Sequence, residues 1–341
     1  MRQQLDWRLC REQDCCRQSN NSSTLLRCFV SCVAESGGGS GWSYGVFSRQ
    51  YYVGELLNSF RLQIGLVLTI LATVWFCIRI RGIAFCLFAL GVVVLFPIIA
   101  GMISVRQVPP GPKEIRLLSY NVNGRNQDKE PIVKFLRSVE SDITVIVEYS
   151  DDWVGVLKGL KESHLDSLEA RRSHGFGIAI FSRYELKNKK VVLLDNRMPD
   201  FPFLLAEVNV GDQHMILAAG HFLAPRSPEL MALRNMQIAS AAKLIERYRS
   251  SRDLPVLFVG DLNAVPWSPF VDDFLKQTKL RDSRQGCWYQ GTWPTNNLLL
   301  RVPIDNAYVS KNICVHERRC LSCYSSDHLP IELTFSIAES E

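Results

Sequence analysis

An aspartate and an asparagine two residues apart close one of the most apolar runs of the chain, Leu254-Pro255-Val256-Leu257-Phe258-Val259-Gly260-Asp261-Leu262-Asn263. At that spacing both side chains leave a strand on the same face, where a buried strand opens into a loop. Alone, Asp-x-Asn is ordinary turn composition. It gains meaning from a second polar pair near the C-terminus, Asp327-His328 in Ser325-Ser326-Asp327-His328-Leu329-Pro330, which runs straight into the apolar segment from Ile331 to Phe335. An acid beside a histidine at a strand entrance suits general-base or metal-assisted hydrolysis. Three further apolar runs end in a polar group: Ile115 to Asn121, Ile143 to Glu148, and Met215 to His221. Five such strand ends are too many to be five unrelated turns.

Taken in order, Asn121, Glu148, His221-Phe222, Gly260-Asp261-Leu262-Asn263 and Ser326-Asp327-His328 resemble the endonuclease/exonuclease/phosphatase superfamily, the deoxyribonuclease-like metal-dependent phosphohydrolases. Two weaker segments fall in the expected order, Gly175 to Arg183 and Pro303-Ile304-Asp305-Asn306-Ala307-Tyr308-Val309-Ser310. The resemblance covers residues 113–337 and, with the apolar N-terminal part, points to a membrane-anchored member of bacterial type. It implies an α/β fold of two packed mixed β-sheets flanked by helices, a four-layer sandwich with its site at one end.

Chemistry assigns provisional roles. A hard cation such as Mg²⁺, or Mn²⁺ in its place, takes oxygen ligands and only one or two carboxylates. Glu148 with Asn121 as a neutral oxygen donor fits that, and the resemblance implies the same pair. Asp261 is placed to orient or deprotonate the attacking water, and Asn263 to donate its amide to the phosphorane as charge develops. His328, with Asp305 as its family-like partner, either holds phosphate as imidazolium or acts as the base, with Asp327 as a second metal ligand or an orienting group. His221 protonates the leaving group or grips a phosphate oxygen. The bland readings are turn composition for Asn121 and Asp305 and a satisfied core histidine for His221. Glu148, a carboxylate at the end of Val145-Ile146-Val147, has no comfortable structural reading.

Upstream, Leu62 to Ile78 and Ile83 to Val105 are uncharged apolar runs of 17 and 23 residues. A helix of about 20 residues crosses the hydrocarbon core, so these are expected to be two transmembrane helices joined by the basic turn Arg79-Ile80-Arg81-Gly82. The positive-inside tendency puts that turn in the cytoplasm and the rest of the chain outside, across a bacterial inner membrane. The aromatic segment Val46 to Phe60 is expected along the bilayer surface. The division follows: residues 1–45, rich in Ser, Asn and Gly with five of the 11 cysteines, suggest disorder; 46–106 form the membrane module; 107–112 a Pro/Gly linker; and 113–337 one catalytic domain, with helical patterns at Glu130–Val139, Glu229–Arg249 and Pro269–Thr278.

Charge separates the substrate classes. Lys and Arg outnumber Asp and Glu by 10 to 5 in residues 1–106 and balance at 29 to 29 in 107–341, so the net +5 belongs to the N-terminal part. A protein that grips a nucleic-acid backbone usually carries a basic footprint. The expected activity is hydrolysis of a lipid-linked or small phosphodiester at a membrane. A metal-dependent endonuclease or exonuclease is the first alternative and a catalytically silent, membrane-tethered binding module the second. No protein partner is inferred. Cys287, Cys314, Cys320 and Cys323 are even in number, as disulfides outside the cytoplasm require, and Cys320 with Cys323 has the spacing of a redox pair or half a metal site; unpaired thiols are the commonest case, and no second Cys-x-x-Cys completes a zinc site.

Overall fold

Odd-numbered positions of seven strands carry much of the inner core, and that parity decides where the functional side chains emerge. The structure, a computed structural model, describes residues 49–103 and 108–338 apart from 174, 196, 198, 199, 323 and 324; the expected disorder of residues 1–45 lies outside these. Two six-stranded sheets face each other. One runs β11-β12-β1-β2-β4-β3, the other β5-β6-β7-β8-β10-β9. The strands are β1 Glu114–Asn121, β2 Ile143–Val147, β3 Asp166–Ala170, β4 Ile178–Ser182, β5 Glu185–Leu193, β6 Pro202–Val210, β7 Gln213–His221, β8 Val256–Asp261, β9 Arg281–Asp282, β10 Asp305–Val309, β11 Ile313–Cys320 and β12 Ile331–Ile337. β1 pairs with β2, and β7 with β8, in parallel; the other pairings are antiparallel.

Side chains alternate across each strand. Ile115 and Leu117 of β1, Val145 and Val147 of β2, Leu217 and Ala219 of β7, Leu257 and Val259 of β8, and Ala307 and Val309 of β10 fill the space between the sheets. Their neighbours face outward to helices. Leu118, Tyr120 and Ile146 meet α4 (Glu130–Ser138) through Ile132 and Leu136. Phe258 and Tyr308 meet α7 (Pro228–Ser250) and α8 (Pro269–Thr278) through Ile245 and Phe274. α7 starts as its sequence dictates: Ser227 caps Leu230 N and Pro228 occupies the first turn. Two short helices, α5 (Asp151–Val154) and α6 (Lys158–Glu162), complete the layer over β2 and β4. The four-layer α/β sandwich expected from sequence is what forms.

Ahead of it lie α1 (Tyr52–Ser59), α2 (Arg61–Cys77) and α3 (Arg81–Met102). α2 and α3 pack antiparallel at small residues: a Cβ on Gly65 would stand 2.4 Å from Leu95 Cγ, and one on Gly91 3.3 Å from Thr69 Oγ1. Close approach at glycines is how helices associate where the surroundings are apolar. The outward faces carry Leu66, Ile70, Phe76, Phe85, Phe88 and Phe96 in the open. Among the described residues α3 alone is long and apolar enough to cross a membrane, while α1 and α2 qualify only as a pair bent by 72°. The expected two full spans thus reduce to one helix plus a 17-residue partner, and the basic turn shortens because Arg81 already begins α3.

The sequence expected Val46 to Phe60 on the bilayer surface, but its helical part is pinned to the sandwich instead. Glu55 is buried with Arg234 Nη2 at 2.9 Å and Ser268 Oγ at 2.7 Å. Trp267 Nε1 donates to Asn58 O, Tyr52 Oη to Pro225 O, and Arg49 pairs with Asp273. Polar groups on an otherwise apolar face read as an interfacial helix in sequence; only the partner surface shows that protein covers them. The Pro/Gly linker is not free either, since Gly111 N donates to Ser336 Oγ and its Cα lies against Ile337 O.

Candidate functional site

The parity of the inner core carries four functional residues to one edge of the sandwich. Asn121, His221, Asp261 and Asp305 continue the inward-facing rows of β1, β7, β8 and β10. On the second sheet three of them stand side by side, His221 in register with Asp261 and Asp261 with Asp305. The β7–β8 contact that seats them is close: a Cβ on Gly260, which has φ +151°, would lie 1.9 Å from Gly220 O. Only glycine permits that approach.

Glu148 breaks the pattern. Alternation after Val145 and Val147 would send it outward with Ile146, but its backbone is left-handed, φ +64°. That reversal turns the carboxylate back to the site, where Oε1 accepts from Asn121 Nδ2 (3.1 Å) and Oε2 from Gly124 N (2.8 Å). A non-glycine residue held there costs about 1–3 kcal/mol, and such strain gathers at functional sites. The side chain keeps 24% of its surface open, against 1% for Asp261, so Glu148 marks the mouth and Asp261 the floor.

Asn121 joins the acids. Its Nδ2 donates to both Glu148 Oε1 and Asp261 Oδ2 (3.2 Å), and its Oδ1 accepts from Asn123 N. The amide nitrogen, not the expected oxygen, therefore faces the carboxylates; ligation by Oδ1 requires the amide to turn over. Asp261 Oδ1 accepts from Asn263 N (2.8 Å). Asp261 Oδ2 lies 3.9 Å from both His221 Nε2 and His328 Nε2. Burial, followed by the charge of Asp305, pushes the Asp261 carboxyl up to about 8. Burial alone would push the His328 imidazole down, but Asp305, with Oδ2 2.8 Å from Nδ1, overrides it and holds the ring at about 10. His221 has no such partner: its Nδ1 makes no hydrogen bond, burial pushes it down, and Phe176 and Phe201 flank the ring.

Two residues depart from expectation. Asp327 stays outside the ring of acids: it is exposed, and its Oδ2 accepts from Trp293 Nε1 at 3.3 Å. The chain bends at Ser326–His328, which buries His328 and leaves its neighbour outside. Asn263 spends one amide hydrogen on Phe222 O, leaving the other free in direction. Sequence reasoning missed Arg234, whose buried guanidinium donates to Asn263 O (2.7 Å) as well as pairing with Glu55. Its only signal is a basic residue on the apolar face of a helix. It also missed Ser326 Oγ, which donates to Asn121 O and ties the His328 loop to β1.

The sequence profile described as "Endonuclease/Exonuclease/phosphatase family" matches residues 118–328. The chain belongs to this family. It is a metal-dependent phosphoric ester hydrolase, and enzymes of the family act on phosphodiesters with divalent metal ions. No curated protein sequence matches significantly. Solved structures do. An endonuclease/exonuclease/phosphatase family protein from Bacteroides thetaiotaomicron superposes at TM-score 0.56 with 17% identity, over 67% of this chain and 100% of its own. The human nocturnin catalytic domain with bound sulfate gives 0.55 and 17%, over 66% and 95%. A truncated Caenorhabditis elegans TDP2 gives 0.54 and 17%, over 65% and 98%. At these identities the likeness concerns the fold.

The residues of this family member suit a divalent cation. Among the described residues Glu148, Asp261 and Asp305 have no Lys or Arg partner, only His221 and His328. Three acids face one imidazolium, and the Asp261 anion is held off by burial and by Asp305; a bound cation would balance that excess of acid. Two donor groups are available: Glu148 at the mouth with Asn121 reaching down to Asp261, and Asp261, Asp305 and His328 on the floor, whose ligand atoms all lie within 4.8 Å of one another.

Proposed function

We propose that the enzyme is a membrane-anchored, Mg²⁺-dependent phosphodiesterase that uses water to cleave a lipid-linked or small phosphorylated substrate. The observation that carries this reading is that the acid-rich site and an apolar-faced helical hairpin belong to one compact unit from Ser48 onward. Residues 46–106 serve as the membrane module and 113–337 as the catalytic domain.

Glu148, with Asn121, would hold the cation, since His328 already spends Nδ1 on Asp305 and hard cations favour oxygen. When bound, the cation supplies charge stabilisation to the non-bridging phosphate oxygens. Asp261, made more basic by burial, takes the proton of the attacking water as its oxygen bonds to phosphorus. His328, kept cationic by Asp305, holds a phosphate oxygen and supplies the proton that the leaving oxygen takes as the old P–O bond breaks. Asn263 donates its remaining amide hydrogen to the developing charge. His221, neutral and hemmed by Phe176 and Phe201, orients the phosphate. Asp327 is dropped as a ligand and kept as the partner of Trp293.

Basic patches that could serve nucleic acid are largely occupied, which supports the lipid reading over the nuclease. Lys187 pairs with Glu185, Lys189 with Asp166 and Arg252 with Glu207, while Lys190 lies over the Tyr248 ring. The test uses the full chain in nanodiscs, because α1 completes the burial of Arg234. Expected are Mg²⁺-dependent hydrolysis of a bis-aryl phosphodiester, abolished by chelator, and faster turnover of phospholipid vesicles than of plasmid DNA. Efficient plasmid nicking at physiological salt beside inert vesicles reverses the ranking. For topology, an extracytoplasmic catalytic domain in a bacterial inner membrane is proposed from Arg79 and Arg81 in the turn. A reporter active only outside the cytoplasm, fused after Glu341, is then on, and one fused between Ile80 and Ile83 is off; the reverse pattern inverts the hairpin.

A further inference from the structure

Between Gly286 and Leu300 the chain carries no charge and runs beside the site with large apolar side chains held in the open. Trp288 is 87% exposed, Leu298 75% and Leu299 79%. Single exposed leucines are ordinary, but a group of them held outward is not. They are held. Asn297 Oδ1 accepts from Leu299 N and Leu300 N, Arg301 donates to Pro294 O and Thr295 O, Tyr289 Oη donates to Arg301 O, and Trp293 bridges Val302. Nothing in that bonding folds the leucines back.

Both ends of this segment are tied to the same end of the helical hairpin. Gln63, in the first turn of α2, donates to Arg301 O at 3.4 Å, and Gly286 N donates to Met102 O, the last residue of α3, at 3.1 Å. These are the hairpin's near ends, since the turn at Ile78–Ile80 is at the other. The segment is also tied to the catalytic loop. Thr295 N donates to Asp327 O and Thr295 Oγ1 to Ser326 O, while the Trp293 ring lies 6.5 Å from that of His328.

We infer that Trp288 and Leu298–Leu300 enter the bilayer leaflet in which α2 begins and α3 ends, and form the rim over which a lipid-borne phosphodiester passes from that leaflet to His328. This deepens the reading proposed above and rests on it. The occupant is lipid because the patch adjoins the ends of the apolar hairpin and carries no charge between Gln285 and Arg301. An aromatic indole beside aliphatic side chains is the composition that sits at a membrane interface.

The full chain, reconstituted in vesicles containing brominated phosphatidylcholine, is compared with its Trp288→Phe variant by tryptophan emission, and Leu298→Asp/Leu299→Asp is assayed on a soluble aryl diester and on vesicle lipid. The bilayer rim is supported if quenching acts on the Trp288-dependent component, and if the double variant keeps soluble turnover but loses about tenfold or more on vesicles, as expected when two aliphatic side chains no longer partition into hydrocarbon. Both leucines are exposed, so the variant has no fold to break. An unquenched Trp288 component, with Trp75 of α2 quenched and soluble hydrolysis intact, overturns the rim while sparing the phosphodiesterase. Equal loss on both substrates, or a dimer in detergent that the double variant separates, also overturns it, the last in favour of a second copy of the chain. Absent soluble hydrolysis instead defeats the underlying reading, and the emission measurement still decides the rim.

Discussion

The enzyme buries charge in two places and treats them in opposite ways. Where α1 meets α7, Glu55 faces Arg234, and Ser268 caps the same carboxylate oxygen. One acid meets one base. At the strand ends, Asp261 and Asp305 share the imidazolium of His328, while Glu148 faces only the neutral His221. A matched buried pair is costly to break yet chemically quiet, since removing one partner strands a charge out of water. An unmatched cluster is destabilising by itself and is kept for what it binds. Arg234 belongs to both, because its other arm holds the carbonyl of Asn263.

That contrast can be broken experimentally. The largest effect is expected at the matched pair: Glu55→Ala should destabilise the folded unit by about 3–5 kcal/mol, read as a lower midpoint in chemical denaturation. A change under 1 kcal/mol would mean that Arg234 finds another partner. At the unmatched cluster, Asp261→Asn and His328→Ala should each lower kcat by about 100-fold or more, worth ~2.7 kcal/mol of transition-state stabilisation. Wild-type-like turnover in both would remove the cluster from catalysis. The same Asp261→Asn change should raise the thermal midpoint of the chelated protein at neutral pH by a few degrees, about 1 kcal/mol, because folding no longer has to bury an acid whose anion is disfavoured by desolvation first and by Asp305 second. Excess Mg²⁺ should erase that advantage, because a ligand that binds only the folded state stabilises the wild type more. A midpoint that falls without metal would show the acids to be compensated after all. The smallest effect separates Arg234's two duties. Arg234→Lys keeps a charge for Glu55 but cannot reach two acceptors with a planar fork, so stability should change little while kcat falls by about threefold to tenfold. Equal loss in stability and turnover would make Arg234 structural only.

Much of the site was legible because catalytic groups at the ends of strands inherit the strands' parity. Asn121, His221, Asp261 and Asp305 follow from period-two patterns that any reader can count, and the inner core that confirms the patterns is the same one that aims the side chains. Glu148 was legible as chemistry but not as geometry, for its inward turn depends on a left-handed backbone that alternation does not foresee. Asp327 and His328 show the reverse: adjacent in sequence and alike in promise, they separate at a bend, where His328 is buried on Asp305 and Asp327 stays exposed beside Trp293. α1 was misplaced for a related reason. Glu55 and Arg49 look like interruptions of an interfacial helix until Arg234 and Asp273, some 180 and 220 residues later in the chain, are seen beside them.

By itself the sequence determined the two-sheet α/β sandwich, the family, the strand-end residues and an apolar hairpin ahead of the domain, since these rest on local periodicity and on motifs a few residues long. Tertiary structure alone decided which charges meet. It matched Glu55 to Arg234, left Asp261 and Asp305 sharing His328, turned Asp327 to solvent, and set Trp288 and Leu298–Leu300 against the ends of the hairpin. Hydrophobic pattern is written in neighbours along the chain, whereas the energy of a buried charge depends on whichever distant group the fold brings within a few ångströms of it.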